Sequence, residues 1–139
     1  MKVAFIGCGS ITKQRHAYEY SLRKDVEIAG FFDFVKERSE ALASKFGGKV
    51  YSTLDELLDD KEVELVSVCV ANAYHAEVSI KALKKGKHVL CEKPMAITLE
   101  DCQAMVAAAH ESGKRLMIGH NQRLTPAHKR AREIISSGE

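Results

Sequence analysis

The chain has 139 residues, of which 45% are hydrophobic and 29% are charged, and its formal net charge is +2. A chain of this length forms about one domain and can bury a substantial apolar core. Its acidic and basic residues are interspersed, so neither a nucleic-acid-binding patch nor a polybasic membrane anchor is indicated. The N-terminus lacks signal-peptide features, and no apolar run approaches the roughly 20 residues of a membrane span. We therefore expect a cytoplasmic protein that binds neither nucleic acid nor membrane.

The cysteine pattern argues against a metal centre. The four cysteines form no CxxC pair and show no regular spacing; they are Cys8, Cys69, Cys91 and Cys102. A zinc site needs clustered ligands, and a reducing compartment keeps isolated thiols free. We expect small buried hydrophobic side chains at these positions and no metal ion.

The first segment of the chain has the order of a strand, a glycine turn and a helix. Residues 3–6 are apolar, Gly7 and Gly9 flank Cys8, and residues 11–24 carry a helical pattern. This order presents a helix N-terminus to a phosphate group, and the two glycines let the backbone approach a pyrophosphate closely. An ordinary tight turn between a strand and a helix is the alternative interpretation.

A carboxylate follows the second apolar run. Residues 26–32 read as a strand that ends at Asp33, about 20 positions beyond the glycine turn, where the dinucleotide-binding fingerprint has an acid. Such a carboxylate accepts hydrogen bonds from the ribose hydroxyls of adenosine and would repel a 2′-phosphate, so Asp33 favours NAD over NADP. The alternative is a turn residue or a helix cap.

Strands and helices alternate along the rest of the chain. The patterns predict strands over residues 49–51, 64–70, 88–91 and 115–119, and helices over residues 35–46, 54–59, 75–85, 99–112 and 126–136. The charged run at 84–87 reads as the C-terminal end of a helix, where cations interact favourably with the macrodipole and no ligand is needed. This alternation predicts an α/β fold with a doubly wound parallel sheet, whose ligands bind at the carboxyl ends of the strands.

Five segments together resemble one known family. They are GCGSI at 7–11, Asp33, NAYH at 72–75, ALKKGKHVLCEKP at 82–94 and GHNQR at 119–123. Over essentially its whole length the chain is similar to the N-terminal NAD-binding domain of the Gfo/Idh/MocA oxidoreductases, which include glucose–fructose oxidoreductase and inositol dehydrogenase. The resemblance implies a Rossmann fold and NAD as the cofactor, with NADP less expected. It also implies cofactor contacts from Gly7, Gly9, Ser10, Ile11, Asp33, Asn72, His75, Glu92, Lys93 and Arg123.

Lys93 is the catalytic residue that the resemblance implies. In the family this lysine is proposed to act in proton transfer or substrate positioning, with Glu92 near the nicotinamide ribose and a cis Lys93–Pro94 bond. A positively charged nicotinamide and partial desolvation both favour the neutral amine that a general base needs, whereas pairing with Glu92 would hold the lysine charged. The alternative interpretation of Lys93 is an exposed lysine in a loop. The alternative interpretation of His75 is a structural helix cap.

Three departures from the family pattern stand out. Thr12 occupies the third position of the glycine motif, which we expect to loosen the packing of the helix on the strand. Val70 and Ala71 stand where the family usually has Thr-Pro. One extra residue lies between Ile11 and His16 relative to many members, so no role is assigned to His16.

The resemblance also implies a domain organisation and a reaction. Residues 1–122 would form the NAD(P)-binding domain, and residues 123–139 would start the connection and helix that lead to a second, substrate-binding domain, absent from this chain. We expect an NAD(P)-dependent dehydrogenase that transfers a hydride between a nicotinamide and a sugar, polyol or related secondary alcohol. The full-length enzyme would be a homo-oligomer, and this chain alone would be inactive.

Two other functions stay open at this point. A non-catalytic NAD-binding module, used for redox sensing or protein interaction, needs no second domain. A methyltransferase also pairs a glycine turn with an acid after the second strand, but it has no use for the loop at Lys93 and Pro94.

Overall fold

The computed structural model describes residues 1–138 of the chain. Its six strands are parallel and form one sheet in the order β3-β2-β1-β4-β5-β6. The strands are β1 (Lys2–Ile6), β2 (Glu27–Phe32), β3 (Lys49–Val50), β4 (Leu65–Val68), β5 (His88–Cys91) and β6 (Leu116–Ile118). The order reverses between β1 and β4, so the carboxyl ends of these two strands form the switch point of a Rossmann sheet. The predicted α/β fold is confirmed.

Helices lie on both faces of the sheet, and one face of β5 and β6 is left open. They are α1 (Ala17–Ser21), α2 (Lys36–Phe46), α3 (Leu54–Asp59), α4 (His75–Lys84), α5 (Leu99–Ser112) and α6 (Pro126–Ser137). Val3 and Phe5 of β1 belong to a core cluster with α1 and α2, whereas Ala4 and Ile6 belong to a second cluster with α3, α4 and α5. Because successive side chains point to opposite faces and both faces are buried, β1 needs an unbroken apolar sequence.

The first helix differs from the regular helix predicted over residues 11–24. Thr12–His16 form a π-helical turn in which the amide of Ala17 donates to the carbonyl of Thr12, and α1 follows and ends at Ser21. A π turn encloses one more residue than an α turn. The widened turn ends at His16, directly before α1.

Thr12 is packed between this helix and the end of β1. Its side chain is fully buried, and its hydroxyl donates to the carbonyl of Gly7 at 2.6 Å. The side chain fills the space between the strand and the helix. The hydrogen bond fixes the start of the helix against the end of β1.

Lys87 follows α4, in the charged run that was predicted as the C-terminal end of that helix. It is buried, and its ammonium donates to the carbonyls of Asp60 at 2.7 Å and Val63 at 2.8 Å. Burial lowers the pKa of Lys87, against the raising effect of Asp60 and Asp59. The residue joins the loop after α3 to the loop before β5.

Helix α6 lies at the periphery of the domain. It contributes no buried residue, and its apolar Ile135 is exposed. It follows a short 3₁₀ turn, Asn121–Leu124, on which it packs. Within residues 1–138, none of the helices combines the length and the apolar character that a membrane span requires.

Candidate functional site

Gly7 and Gly9, in the turn after β1, differ in the space that surrounds them. Gly7 has φ +92°, and a Cβ there would lie 2.6 Å from backbone atoms of Cys69, so the fold itself excludes a side chain. At Gly9 a Cβ would meet nothing within 4 Å. The space above Gly9 is therefore open to a ligand that approaches the backbone.

Asp33 is held directly beside this turn. Its Oδ2 accepts the amide hydrogen of Cys8 at 2.7 Å, and its Oδ1 accepts that of Val35 at 2.8 Å. The side chain of Asp33 is 10% exposed, and the guanidinium of Arg38 lies 3.9 Å from Oδ1. Burial, followed by the negative charge of Asp33, raises the pKa of the Cys8 thiol to about 12, so no thiolate competes with an anion at the turn.

Two cavities lie along the carboxyl ends of the strands, and Ile11 lines both of them. The smaller, of about 370 Å³, is bounded by the glycine turn, Asp33, Arg38 and the segment after β4. The larger, of about 710 Å³, is bounded by His16, Glu92, Gly119, Arg123 and the exposed face of β5 and β6. A ligand that spans the start of the first helix can reach both cavities.

The loop after β5 carries Glu92, Lys93 and Pro94 and is anchored on both sides. The Lys93–Pro94 peptide is cis, as the resemblance implied. The amide of Lys93 donates to Glu92 Oε2 at 3.1 Å, while the carbonyl of Pro94 lies 2.7 Å from His75 Nδ1. The Lys93 side chain is exposed and has no hydrogen-bond or ion-pair partner among residues 1–138.

His75 is buried beneath this loop. Its Nε2 lies 3.1 Å from the carbonyl of Val70, so the two ring nitrogens face two backbone acceptors. A neutral ring can donate to one of these carbonyls and a charged ring to both. In either form His75 ties the segment after β4 to the Glu-Lys-Pro loop.

The structure reveals one site residue that the sequence did not, namely His16. Its Nε2 lies 2.8 Å from Glu92 Oε1, and its Nδ1 lies 2.9 Å from the Ser67 hydroxyl in β4. Burial lowers the pKa of His16, but hydrogen bonding and charge at Cys69 and Glu92 outweigh it and raise the pKa to about 9. No local sequence pattern indicated this contact of His16 with Glu92 and Ser67.

The remaining predicted residues are exposed around the rim. Ser10, Asn72 and Arg123 have exposed side chains with no hydrogen-bond or ion-pair partner within the part of the chain that the structure describes. Ser10 lines the smaller cavity and Arg123 the larger, whereas Asn72, His75 and Lys93 line neither. The site thus combines side chains held by hydrogen bonds, namely Asp33, His75 and Glu92, with exposed side chains that have no partner among the described residues.

Comparison with known proteins identifies the family. The Gfo/Idh/MocA family model, described as an oxidoreductase family with an NAD-binding Rossmann fold, matches residues 1–120. The chain belongs to this family. Inositol 2-dehydrogenase of Salmonella typhimurium is 34% identical over 142 aligned positions, which cover 100% of this chain and 42% of that enzyme. Glucose-6-phosphate 3-dehydrogenase of Bacillus subtilis is 39% identical over 122 aligned positions, which cover 88% of this chain and 34% of that enzyme.

Solved structures of family members have the same architecture. KijD10, a 3-ketoreductase from Actinomadura kijaniata crystallised with NADP and TDP-benzene, superimposes with a TM-score of 0.91 at 28% identity. The match covers 99% of this chain and 42% of KijD10. The chain therefore corresponds to less than half the length of the Gfo/Idh/MocA proteins that it matches.

All four cysteines are free thiols, and three of them are buried. Among residues 1–138 no group of three or more His, Cys, Asp and Glu side chains is arranged to hold a metal ion.

Proposed function

We propose that this chain binds NAD across the carboxyl ends of its strands and is the cofactor-binding part of a dehydrogenase of sugars or polyols. The observation that carries the proposal is the open space above Gly9 beside the oriented carboxylate of Asp33. A pyrophosphate needs close backbone approach at a helix start, and a ribose needs an acceptor at the end of the second strand. The turn and Asp33 offer both.

The two cavities suggest how the cofactor would lie. In a doubly wound sheet the dinucleotide crosses the switch point, with one mononucleotide over each half. The adenosine would occupy the smaller cavity, with its ribose on Asp33, and the nicotinamide would occupy the larger cavity near Glu92. The pyrophosphate, which joins the two halves of the cofactor, would be held by Gly7, Gly9, Ser10 and Ile11. Asn72 and Arg123 would contact the nicotinamide half, while His75 would act by holding the loop.

The charge at Asp33 supports NAD as the preferred cofactor. A carboxylate whose two oxygens already accept backbone amides is fixed in position, and a 2′-phosphate would meet its negative charge. Arg38 lies nearby and partly offsets that charge. The similar protein KijD10 was crystallised with NADP, and we expect this chain to bind NADP measurably but more weakly than NAD.

Lys93 is the proposed acid–base group of the reaction. When bound, the nicotinamide would supply hydride transfer to or from the reacting carbon. The loop that carries Lys93 is anchored by Glu92 on one side and His75 on the other, which holds its backbone in place. Its free amine would take the proton of the substrate hydroxyl during oxidation and return it during reduction.

The substrate is proposed from the relatives and from the chemistry. Inositol, glucose 6-phosphate and related ring alcohols each carry the secondary hydroxyl that such a transfer requires, and the named relatives act on substrates of this kind. We propose residues 1–122 as the cofactor domain and residues 123–139 as the start of the connection to a substrate-binding domain. The exposed position of α6 supports this. The full-length enzyme would be a cytoplasmic homo-oligomer.

The test is a titration of the purified chain with NADH, followed by nicotinamide fluorescence. Saturable binding is expected, together with a loss of about tenfold or more in Gly9→Ala, whose methyl would point into the pyrophosphate position. Gly113→Ala is the matched control. Gly113 has φ +66°, so the change costs stability, but it is remote from both cavities and should leave NADH affinity unchanged. Absence of NADH binding by the wild-type chain at millimolar concentration would refute the proposal.

A further inference from the structure

The carboxylate of Glu92 is held from three sides. Its Oε1 pairs with His16 and its Oε2 accepts the amide of Lys93. On the third side, a Cβ added at Gly119 would lie 3.3 Å from Oε1, so the backbone directly after β6 closes against the carboxylate. The side chains of His16 and Glu92 are 12% and 14% exposed. The position of this carboxylate is therefore set by its neighbours rather than by solvent.

The partner on Oε1 is itself oriented. The Ser67 hydroxyl of β4 contacts His16 Nδ1, so the imidazole is bridged between two strands with Nε2 directed at Glu92. This arrangement spans the carboxyl ends of β4 and β5. In the proposed function these ends lie beneath the nicotinamide half of the cofactor, and the inference below rests on that function.

The charge of the His16–Glu92 pair affects cofactor binding because the two forms of the nicotinamide differ in charge. The oxidised nicotinamide ring is cationic and the reduced ring is neutral. A bare carboxylate nearby stabilises the cation, whereas a carboxylate paired with an imidazolium has little net field. The charge on His16 therefore changes how strongly the site prefers one form over the other.

We propose that His16 is a positioning residue that acts through Glu92 to set the relative affinity of the site for oxidised and reduced nicotinamide. By neutralising Glu92, it prevents the site from holding the oxidised cofactor too strongly. The raised pKa of His16 agrees with this role, since the ring then carries its charge at neutral pH. Ser67 serves to orient the ring.

The experiment measures the dissociation constants of NAD⁺ and NADH for each variant and compares their ratio, Kd(NAD⁺)/Kd(NADH). In His16→Gln the amide can still donate to Glu92, but the charge is lost. We expect the ratio to fall about five- to tenfold. Lys13→Gln is the matched control because it removes an exposed cation from the same π turn, and its ratio should stay within about twofold of the wild-type value.

A double-mutant cycle tests whether the effect passes through Glu92. Glu92→Gln removes the carboxylate through which His16 is proposed to act, so this variant is the reference for the second half of the cycle. Adding His16→Gln to Glu92→Gln should then change the ratio no further. A purely structural role for His16 would weaken both forms of the cofactor together and leave the ratio constant.

Gly119→Ala gives a second route if His16→Gln does not fold. The added methyl displaces the Glu92 carboxylate and weakens its pairing with His16, so the ratio should fall about two- to threefold. An unchanged ratio in a folded His16→Gln or in Gly119→Ala, with both cofactors still bound, would overturn this inference alone. An effect of His16→Gln that persists beside Glu92→Gln would also overturn it. A wild-type chain that binds neither form would refute the proposed function and this inference with it.

Discussion

Asp33 accepts the backbone amide of Cys8 at 2.7 Å, so the acid at the end of β2 is bonded to the middle of the glycine turn that follows β1. Its other oxygen accepts the amide of Val35. The carboxylate is thus oriented before any ligand arrives, and a ribose that binds it need not immobilise a free side chain. The bond also joins the two features from which the sequence predicted dinucleotide binding.

Asp33→Asn should therefore weaken NAD binding and relax the choice of cofactor. One oxygen becomes an NH₂ group that cannot accept from a backbone amide, and the negative charge is lost. We expect NAD affinity to fall about tenfold and NADP affinity to rise relative to it. Calorimetric titration with both cofactors measures the change.

Two variants control this prediction. Asp25→Asn removes an exposed acid that pairs with Arg23 away from the turn, and it should leave both affinities unchanged. Arg38→Gln should weaken NADP more than NAD, because it removes the cation nearest the Asp33 carboxylate. Equal losses for both cofactors in Asp33→Asn would show that the residue supports the turn and does not select the cofactor.

The interactions of His16 with Cys69 and Glu92 should make stability depend on pH. The pKa of His16 is raised to about 9 in the folded chain, above its ordinary value near 6.5. The stabilisation is complete below about pH 6.5 and is lost as the pH rises through about 9. Between about pH 7 and about pH 10, the free energy of unfolding of the wild type should fall, relative to His16→Gln, by on the order of 2 kcal/mol.

Urea unfolding of both proteins across this range gives the measurement. Ionisable side chains that do not interact with His16 are common to both proteins and cancel in the difference, whereas the coupling of His16 to Cys69 and Glu92 does not. His110→Gln, at an exposed position of α5, should follow the wild-type curve. Parallel curves for wild type and His16→Gln would contradict the prediction.

Lys87 should contribute to stability through its buried ammonium. In Lys87→Met the apolar stem is retained, but the carbonyls of Asp60 and Val63 lose their donor. We expect a loss of about 1–3 kcal/mol in the free energy of unfolding, measured by urea denaturation. Lys84→Met, at an exposed position near the end of α4, should change it by less than about 0.5 kcal/mol. Equal effects of the two substitutions would show that the Lys87 hydrogen bonds add nothing.

The elements of the fold were predictable from local patterns. Apolar runs such as Val3 to Ile6 marked buried strands, and the long helix ending before Gly113 has the predicted bounds. The π turn was not predictable, because an extra residue does not reveal how the helix accommodates it. The burial of Lys87 was not predictable either. A hydropathy pattern contains its charge but not the two carbonyls that accept hydrogen bonds from its ammonium.

The candidate site was predictable only where its residues are close in sequence or belong to a motif. Gly7, Gly9 and Asp33 follow strand ends, and parallel topology brings such ends together. His16 and Glu92 are separated by 76 positions, and their contact depends on the register of β4 and β5 and on the π turn. No local pattern contains that information. The same holds for His75, whose ring reaches Pro94 across the loop.

The most direct test of the central claim is a crystal structure of the chain grown with NAD. The pyrophosphate is expected above Gly9, within hydrogen-bonding distance of backbone amides of the turn, with the adenosine ribose hydroxyls on Asp33. Electron density for the pyrophosphate away from the turn, or an adenosine ribose that does not contact Asp33, would contradict the account.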